Sequence, residues 1–169
     1  MDTYLAVASK RDWCSYADRP IPQDVVTRIV DAGRLAGNAS NKQPWTFVLV
    51  EDPERKGRLA ESVYVAGNVR SAALVVAIAT PGGGNLLDVG RAIQNMMLVG
   101  WNDGVVSCPN GMPDRGQTAQ ALGLEGDLLP VTVLTFGYPH RPLDPESKSA
   151  EEWSSEANRK PLEEVLKRS

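Results

Sequence analysis

The chain has 169 residues, with 42% hydrophobic and 23% charged side chains and a formal net charge of −3. This length and composition are typical of one globular domain that buries a core without metal or disulfide staples. The acidic balance provides no basic surface for nucleic acid, and no apolar run approaches the about 20 residues that span a bilayer. The sequence therefore predicts a single domain over residues 1–169 that binds neither nucleic acid nor membrane.

The N-terminal segment and the cysteines predict a cytoplasmic protein. The start "MDTYLAVASKRDW" lacks a basic flank followed by an apolar signal core. Cys14 and Cys108 have no metal-ligand spacing, and we expect them to be reduced and unpaired, with Cys108 packed as an ordinary core residue. His140 is the single histidine and lies in the turn-rich "GYPHRP", so we expect it to be solvated rather than catalytic.

Apolar periodicity and turn residues predict alternating helices and strands. In chain order, the sequence predicts a helix over about 3–9, a helix from Pro22 to Gly37, a strand over 46–50, a helix from Pro53, a strand in "AALVVAIAT", a long helix over about 87–102, a short strand in "VVSC", a small helix ending at Gly123, a strand from Pro130 and a last helix over 161–167. This alternation predicts an α/β or α+β sandwich and leaves the strand order open.

Two segments carry polar groups that could bind a ligand. In "KRDWCSY", the adjacent cations Lys10 and Arg11 suit either the C-terminus of a helix or a phosphate clamp. In "GNASNKQPW", between a helix and a strand, the amides offer donors and acceptors either to solvent or to the edge of a heteroaromatic ring. Composition alone favours the purely structural interpretation of both segments.

The order of the motifs favours the ligand-binding interpretation instead, because it resembles the order found in the FMN-dependent nitroreductase family. Five segments carry the resemblance: "KRDWCSYADRPIP", "GRLAGNASNKQPWTFVLVED", "DVGRAIQNMMLVGWNDGVVSC", "LGLEGDLLPVTVLTFGYP" and "RKPLEEVL". The resemblance implies an α+β fold, a nitroreductase-like three-layer sandwich whose central mixed sheet is flanked by helices. It also implies a homodimer with swapped tails and with the flavin at the interface.

The resemblance further implies which residues hold the cofactor. It implies that Lys10 and Arg11 bind the FMN phosphate, together with Arg159 and Lys160. It also implies that Asn41 and Gln43 contact the flavin ring. Asn38 is expected to reach the flavin of the partner subunit. The stretch Ser107–Gly111, with Cys108, Pro109, Asn110 and Gly111, matches the backbone that faces the N5 edge of the ring.

Two positions depart from the family pattern. Asp12 replaces a serine beside the phosphate, and a carboxylate there repels the ligand. Cys14 replaces a cation at the pyrimidine edge of the flavin, and the loss of that cation is expected to lower the reduction potential of the flavin.

The implied reaction has two steps. Hydride passes from NADH or NADPH to flavin N5, and a small electrophilic acceptor, such as a nitroaromatic compound, a quinone or an activated alkene, then takes the electrons. No protein side chain is expected as an obligatory acid or base. The alternatives are a specialised flavin enzyme of the same fold (a dehydrogenase, a dehalogenase or a flavin-fragmenting enzyme), a non-catalytic flavin-binding protein, or a domain without flavin.

Overall fold

A computed structural model describes residues 1–168, which form two compact units. The terminal unit consists of residues 1–10 and 143–168, and the central unit consists of residues 11–142. The central unit contains the sheet and most of the helices. That the whole chain acts as one domain stays a prediction.

The central unit is built on a four-stranded sheet with the order β1-β2-β4-β3. The strands are β1 (Thr46–Leu49), β2 (Leu74–Pro81), β3 (Val106–Asn110) and β4 (Leu128–Gly137). All three ladders are antiparallel, and a parallel bridge joins Asp12 to Ser107. The sequence predicted a mixed sheet. In the structure the three ladders between the named strands are antiparallel, and the parallel pairing is the bridge between Asp12 and Ser107. With helices between the strands, the α+β class is confirmed.

The helices begin and end at residues that satisfy their free backbone groups. After α1 (Thr3–Ser9) of the terminal unit, the central unit contains α2 (Gln23–Arg34), α3 (Pro53–Ala60), α4 (Ala66–Ser71), α5 (Leu86–Asn102) and α6 (Arg115–Leu122). The Asp52 carboxylate caps α3 by accepting from the Arg55 amide at 2.7 Å. Gly123 ends α6 in the left-handed region, as predicted. The predicted end of α2 at Gly37 is wrong, because Leu35 already caps the helix.

The core of the central unit lies between the sheet and the pair α2 and α5. Val76 and Ile78 of β2 belong to the same buried cluster as Phe136 of β4, Ile29 of α2 and Met96 of α5. These strand residues alternate along the chain, as expected for one face of a sheet. α6 packs on β4 and α3, which supplies further helical cover for the sheet. The "AALVVAIAT" run is buried from Leu74 to Thr80, as a strand with both faces covered requires.

The terminal unit packs its two chain ends together. α1 contacts α7 (Ala150–Glu156), and α8 (Leu162–Val165) follows. The bounds of α1 agree with the prediction, whereas the sequence did not predict α7. Its signal was nevertheless present, since Ser149 and Glu152 form a capping box. Over residues 1–168, no helix is long and apolar enough to cross a membrane.

Candidate functional site

The segment from Asp12 to Cys14 lies along the outer side of β3. Asp12 forms the parallel bridge with Ser107, and the Trp13 amide donates to the Ser107 carbonyl oxygen at 3.0 Å. A disulfide joins Cys14 to Cys108, whose Cα atoms are 5.3 Å apart. Two segments predicted to border the same cofactor, 94 residues apart in sequence, therefore lie side by side.

The disulfide corrects the expectation that the two cysteines are reduced and unpaired. Both cysteines of the chain take part in it. The sequence did not predict this disulfide, because the two cysteines are 94 residues apart and no local spacing indicates that they pair. Cys14 therefore does not present a free side chain to the pyrimidine edge, and Cys108 is more than a packing residue.

Asn110 directs its side chain into the central unit rather than toward a ligand. Only 4% of its surface is exposed. Its Nδ2 group donates to the Cys108 carbonyl oxygen at 3.0 Å and to the Val133 oxygen and Thr135 Oγ1 at 3.1 Å each. Its Oδ1 atom accepts from Asn68 Nδ2 at 2.8 Å. The side chain of Asn110 thus fixes β3 to β4, and its backbone carbonyl oxygen accepts from Thr132 Oγ1 at 3.2 Å.

Asn68 belongs to this site and was missed by sequence reasoning. It lies on the short helix α4, which no clear periodicity predicted. Besides its bond to Asn110, its Nδ2 group lies 3.8 Å from Cys108 Sγ. An amide held between an amide oxygen and a disulfide sulfur has no motif in sequence, so only the fold reveals it.

Tyr16 supports the other end of this hydrogen-bond network. Its hydroxyl lies 2.7 Å from Thr135 Oγ1, and Thr135 Oγ1 in turn donates to the Cys108 carbonyl oxygen at 3.1 Å. Burial raises the pKa of Tyr16 to about 12, and this effect exceeds the opposing effect of the bond to Thr135. Tyr16 is therefore neutral at physiological pH and is a structural part of the site.

The structure gives two signs that the surroundings of β3 suit a ligand. Ser107 Oγ is buried and has no hydrogen-bond partner among residues 1–168, which is costly in a finished core. At the end of β3, Gly111 lies against the ring of Tyr64, where an added Cβ would come within 3.2 Å of the ring. The Tyr64 ring is 71% exposed. An unpaired hydroxyl, an accessible aromatic ring and the exposed residue Pro109 fit a flat cofactor with polar edges.

The loop after α2 is strained and rests on α5. Ser40, Asn41 and Gln43 all have positive φ, near 50°, which is uncommon for residues with a side chain. The side-chain oxygen of Asn38 accepts from the Gln43 amide at 2.7 Å, so it stabilises the loop itself. Asn41 and Gln43 are exposed. Their predicted contact with the ring and the reach of Asn38 toward a partner subunit stay predictions.

Gly37, at the start of this loop, lies against a side chain of α5. A Cβ built on Gly37 would come within 3.0 Å of Cζ of Arg91, a residue of α5. The guanidinium group therefore occupies the space of a larger residue. A proline would need Arg91 to move.

The predicted phosphate cations are divided between the two units. Lys10 caps the end of α1 in the terminal unit, where Arg159 donates to the Ala157 carbonyl oxygen at 3.1 Å and Lys160 is exposed. Arg11 begins the central unit, next to the Asp12 bridge. Their common role at a phosphate stays a prediction.

A cavity of about 480 Å³ elsewhere in the central unit does not compete as an anion site. Its cations are engaged: Lys56 Nζ donates to the Ala72 carbonyl oxygen at 2.6 Å, and Arg70 pairs with Glu61. Arg19 lies over the Tyr138 ring, 3.9 Å from its centroid. Burial also lowers the pKa of Lys56.

The remaining polar groups suggest neither a triad nor a metal centre. His140 is exposed, as expected, and its Nε2 atom lies 3.1 Å from Ser15 Oγ. Within the described part of the chain, no three His, Cys, Asp or Glu residues group as metal ligands. The polar groups described beside β3 are amides, hydroxyl groups and a disulfide.

Comparisons with known proteins bear on the family and the fold of the chain. The model of the nitroreductase family matches residues 7–82 and 70–138. A protein of Methanothermobacter thermautotrophicus assigned as an NADH dehydrogenase/NAD(P)H nitroreductase is 24% identical, over 90% of this chain and 88% of its own length.

Solved structures and a second group of relatives extend the comparison. A protein of Desulfovibrio desulfuricans assigned as a nitroreductase and solved with FMN is 23% identical, with a TM-score of 0.82 over 100% of this chain and 98% of that chain. That likeness establishes the fold. An iodotyrosine deiodinase of Haliscomenobacter hydrossis is 34% identical over 59 residues, which is 35% of this chain and 27% of that protein.

Proposed function

Because this chain belongs to the nitroreductase family, we propose that it is an FMN-dependent oxidoreductase that uses NADH or NADPH to reduce a small electrophilic acceptor. The family predicted from the sequence is confirmed, and the enzyme class follows from it. The acceptors considered are nitroaromatic compounds, quinones and activated alkenes. The chemistry that bound FMN supplies is acceptance of a hydride at N5 and its return to an acceptor.

The observation that carries the proposal is the pairing of residues 12–14 with β3. Both segments were expected at the flavin from different parts of the sequence, and the Trp13 amide and the disulfide bring them together. Ser107 Oγ, buried and unpaired among the described residues, lies at this junction. The proposal assigns the N5 edge of the ring to the backbone from Ser107 to Gly111, along β3 and just past its end.

The other residues are assigned by their chemistry. We assign Arg11 to the phosphate, because its planar guanidinium group binds phosphate oxygens in pairs. Lys10, Arg159 and Lys160 are proposed as further phosphate ligands, each testable by substitution with alanine. Asn41 and Gln43 are proposed to contact the polar edge of the ring, since an amide both donates and accepts.

Cys14 carries no positive charge that could stabilise the reduced flavin. Because Cys14 forms a disulfide, a substitution that tests the effect of charge at this position also breaks that bond. The variant Cys14→Arg both adds a charge and removes the disulfide. Cys14→Ser removes the disulfide alone and is the matched control. The reduction potential of bound FMN is expected to rise in Cys14→Arg relative to Cys14→Ser, because a cation stabilises the anionic reduced ring; equal potentials would contradict this role for position 14.

The central experiment is the absorption spectrum of the protein, reconstituted with FMN and then titrated anaerobically with NADH and NADPH. We expect a yellow protein whose absorbance is bleached by at least one nucleotide and restored by a quinone. Failure to retain FMN would overturn the proposal. Retention of FMN without bleaching by either nucleotide would favour a non-catalytic flavin-binding protein.

A second candidate is reductive removal of a halogen from an aromatic ring. The partial match to iodotyrosine deiodinases is the observation that favours it. The photoreduced holoprotein should then release iodide from an iodophenol, measured by an iodide electrode, and should do so faster than it reduces a quinone. Release no greater than that from free reduced FMN would exclude this activity.

A homodimer with the flavin at the interface and a cytoplasmic location stay predictions. Sedimentation of the FMN-loaded protein tests the first, because a dimer has twice the mass of the 18.3 kDa chain. A monomer that binds FMN tightly would show that one chain is sufficient for the cofactor.

A further inference from the structure

We propose that the Cys14–Cys108 disulfide is a thiol–disulfide exchange site that an external dithiol opens by attack on Cys14. The pair is built from an exposed and a buried cysteine, with an oriented amide beside the buried sulfur. This exchange requires only the disulfide and a dithiol reductant. It therefore goes beyond the flavin chemistry and does not depend on it.

The unequal exposure of the two cysteines sets the direction of attack. Cys14 is exposed, whereas Cys108 retains only 6% of its surface. A thiolate must approach the sulfur that it attacks, so access decides which sulfur forms the mixed disulfide. The structure leaves Cys14 open to a reductant and makes Cys108 the leaving group.

Asn68 is placed to stabilise that leaving group. Its Nδ2 group lies 3.8 Å from Cys108 Sγ, and the same group donates to Asn110 Oδ1 at 2.8 Å. Asn110 is itself fixed by three acceptors, so the amide of Asn68 cannot turn freely. A hydrogen bond from an oriented amide favours the thiolate over the thiol. After protonation, the Cys108 thiol can donate to the Pro109 carbonyl oxygen, 3.8 Å away.

The exchange balances without any other reagent. One thiolate of the dithiol bonds to Cys14 Sγ, the bond between the two cysteine sulfurs breaks, and Cys108 leaves as a thiolate that takes up a proton. The second thiol of the reductant, after losing its proton, attacks the mixed disulfide and releases Cys14 as a thiolate. The dithiol is oxidised by two electrons, and the protein disulfide is reduced by two electrons.

Opening the disulfide removes one of the ties between residues 12–14 and β3. The bridge of Asp12 and the bond from the Trp13 amide to Ser107 remain. Arg11 directly precedes this segment, so opening the disulfide removes a constraint from the chain next to Arg11. If the proposed function holds, the oxidised protein binds FMN more tightly than the reduced protein does; this consequence alone rests on the proposed function.

The test is a count of thiols in the native, full-length protein. The protein is equilibrated with mixtures of reduced and oxidised dithiothreitol, quenched with acid and labelled with a maleimide polymer that shifts its mass. Because the chain has two cysteines, we expect two labels or none, with a transition that follows a two-electron equilibrium. No labelling until the protein unfolds, or labelling that oxidised dithiothreitol does not reverse, would overturn the proposal.

The roles of the two sulfurs and of Asn68 are tested by rates. The Cys14 thiol in Cys108→Ser should react with an aromatic disulfide at least about tenfold faster than the Cys108 thiol in Cys14→Ser, because buried thiols are inert. The reverse order would overturn the assignment. Asn68→Ala should slow reduction by dithiothreitol by about three- to tenfold, the size expected for the loss of one ordinary hydrogen bond. The control Asn102→Ala, on an exposed residue of α5, should leave the rate unchanged; equal rates in all three proteins would remove Asn68 from the proposal.

Titration with FMN separates this inference from the proposed function. Thiol exchange without FMN binding would leave the exchange site standing and overturn the proposed function. FMN binding by a protein whose thiols do not exchange would overturn the exchange site and leave the proposed function standing.

Discussion

Replacement of Asn110 by aspartate gives the sharpest test of the network beneath β3. The side chain keeps its shape, but Nδ2, which donates toward three acceptors, becomes an oxygen. Two of those acceptors are the carbonyl oxygens of Cys108 and Val133, so the new carboxylate faces like partial charge in a buried place. Leaving buried acceptors unpaired and burying a charge together should cost about 3–5 kcal/mol of unfolding free energy near neutral pH. For a chain of this size, that cost lowers Tm by about 10 °C or more.

The dependence on pH distinguishes a buried carboxylate from a general loss of packing. Burial should hold the folded-state pKa of the new aspartate above its usual value of about 3.9. The charged form therefore opposes folding, and the loss is largest above the folded-state pKa. As pH falls from 8 toward 5, the loss should shrink by up to about 1.4 kcal/mol per pH unit once the carboxyl begins to protonate.

The assay is urea unfolding of Asn110→Asp and of the native chain at several pH values, followed by circular dichroism without FMN. The matched control is Asn102→Asp at the exposed end of α5, which should cost less than about 1 kcal/mol. A loss in Asn110→Asp below about 1 kcal/mol, or one that stays constant from pH 5 to pH 8, would refute the reasoning.

Three further predictions concern the same unit. Reduction should lower the unfolding free energy by about 2–4 kcal/mol, because the disulfide closes a loop across 94 residues; urea unfolding with and without reductant measures this loss, and the double variant Cys14→Ser/Cys108→Ser should not respond to reductant. Gly137→Ala should lower the free energy of unfolding by about 1–3 kcal/mol, measured by thermal unfolding, because its Cβ would come within 2.6 Å of Cβ and Cγ of Tyr16. The control Gly57→Ala, in the open part of α3, should be neutral or stabilising. Tyr16, with its pKa raised to about 12, should contribute stability that is complete below pH 10 and falls by about 2–3 kcal/mol as pH rises to 12; a Tyr16→Phe variant with the same alkaline loss would contradict this linkage.

The sequence predicted those parts of the fold whose signals are local. Asp2 accepts from the amides of Tyr4 and Leu5, and α1 therefore begins where the pattern predicted. Pro53 at the start of α3 and Gly123 after α6 likewise mark ends that single residues determine. The order of five motifs identified the family because the order of elements is a property of the whole chain.

The parts that the sequence did not predict depend on distant residues or on the sheet. β3 continues past "VVSC" to Asn110, because Pro109 and Asn110 still pair with Leu134 and Val133 of β4. The Cys14–Cys108 pair and the contact of Asn68 with Cys108 Sγ arise only when separate elements meet. The buried role of Asn110 was hidden because an asparagine beside a glycine suggests a turn, and only pairing with β4 turns it inward.

Pro109 also has a consequence for how this protein resists aggregation. β3 lies at one end of the strand order, where a row of unpaired amides would invite a strand from another molecule. Proline supplies no amide proton there, and the segment around Trp13 already occupies the edge at Ser107. At the opposite end, β1 has only four residues, a short template for growth. Both ends of the sheet thus discourage edge-to-edge assembly, a protection that matters most at high protein concentration.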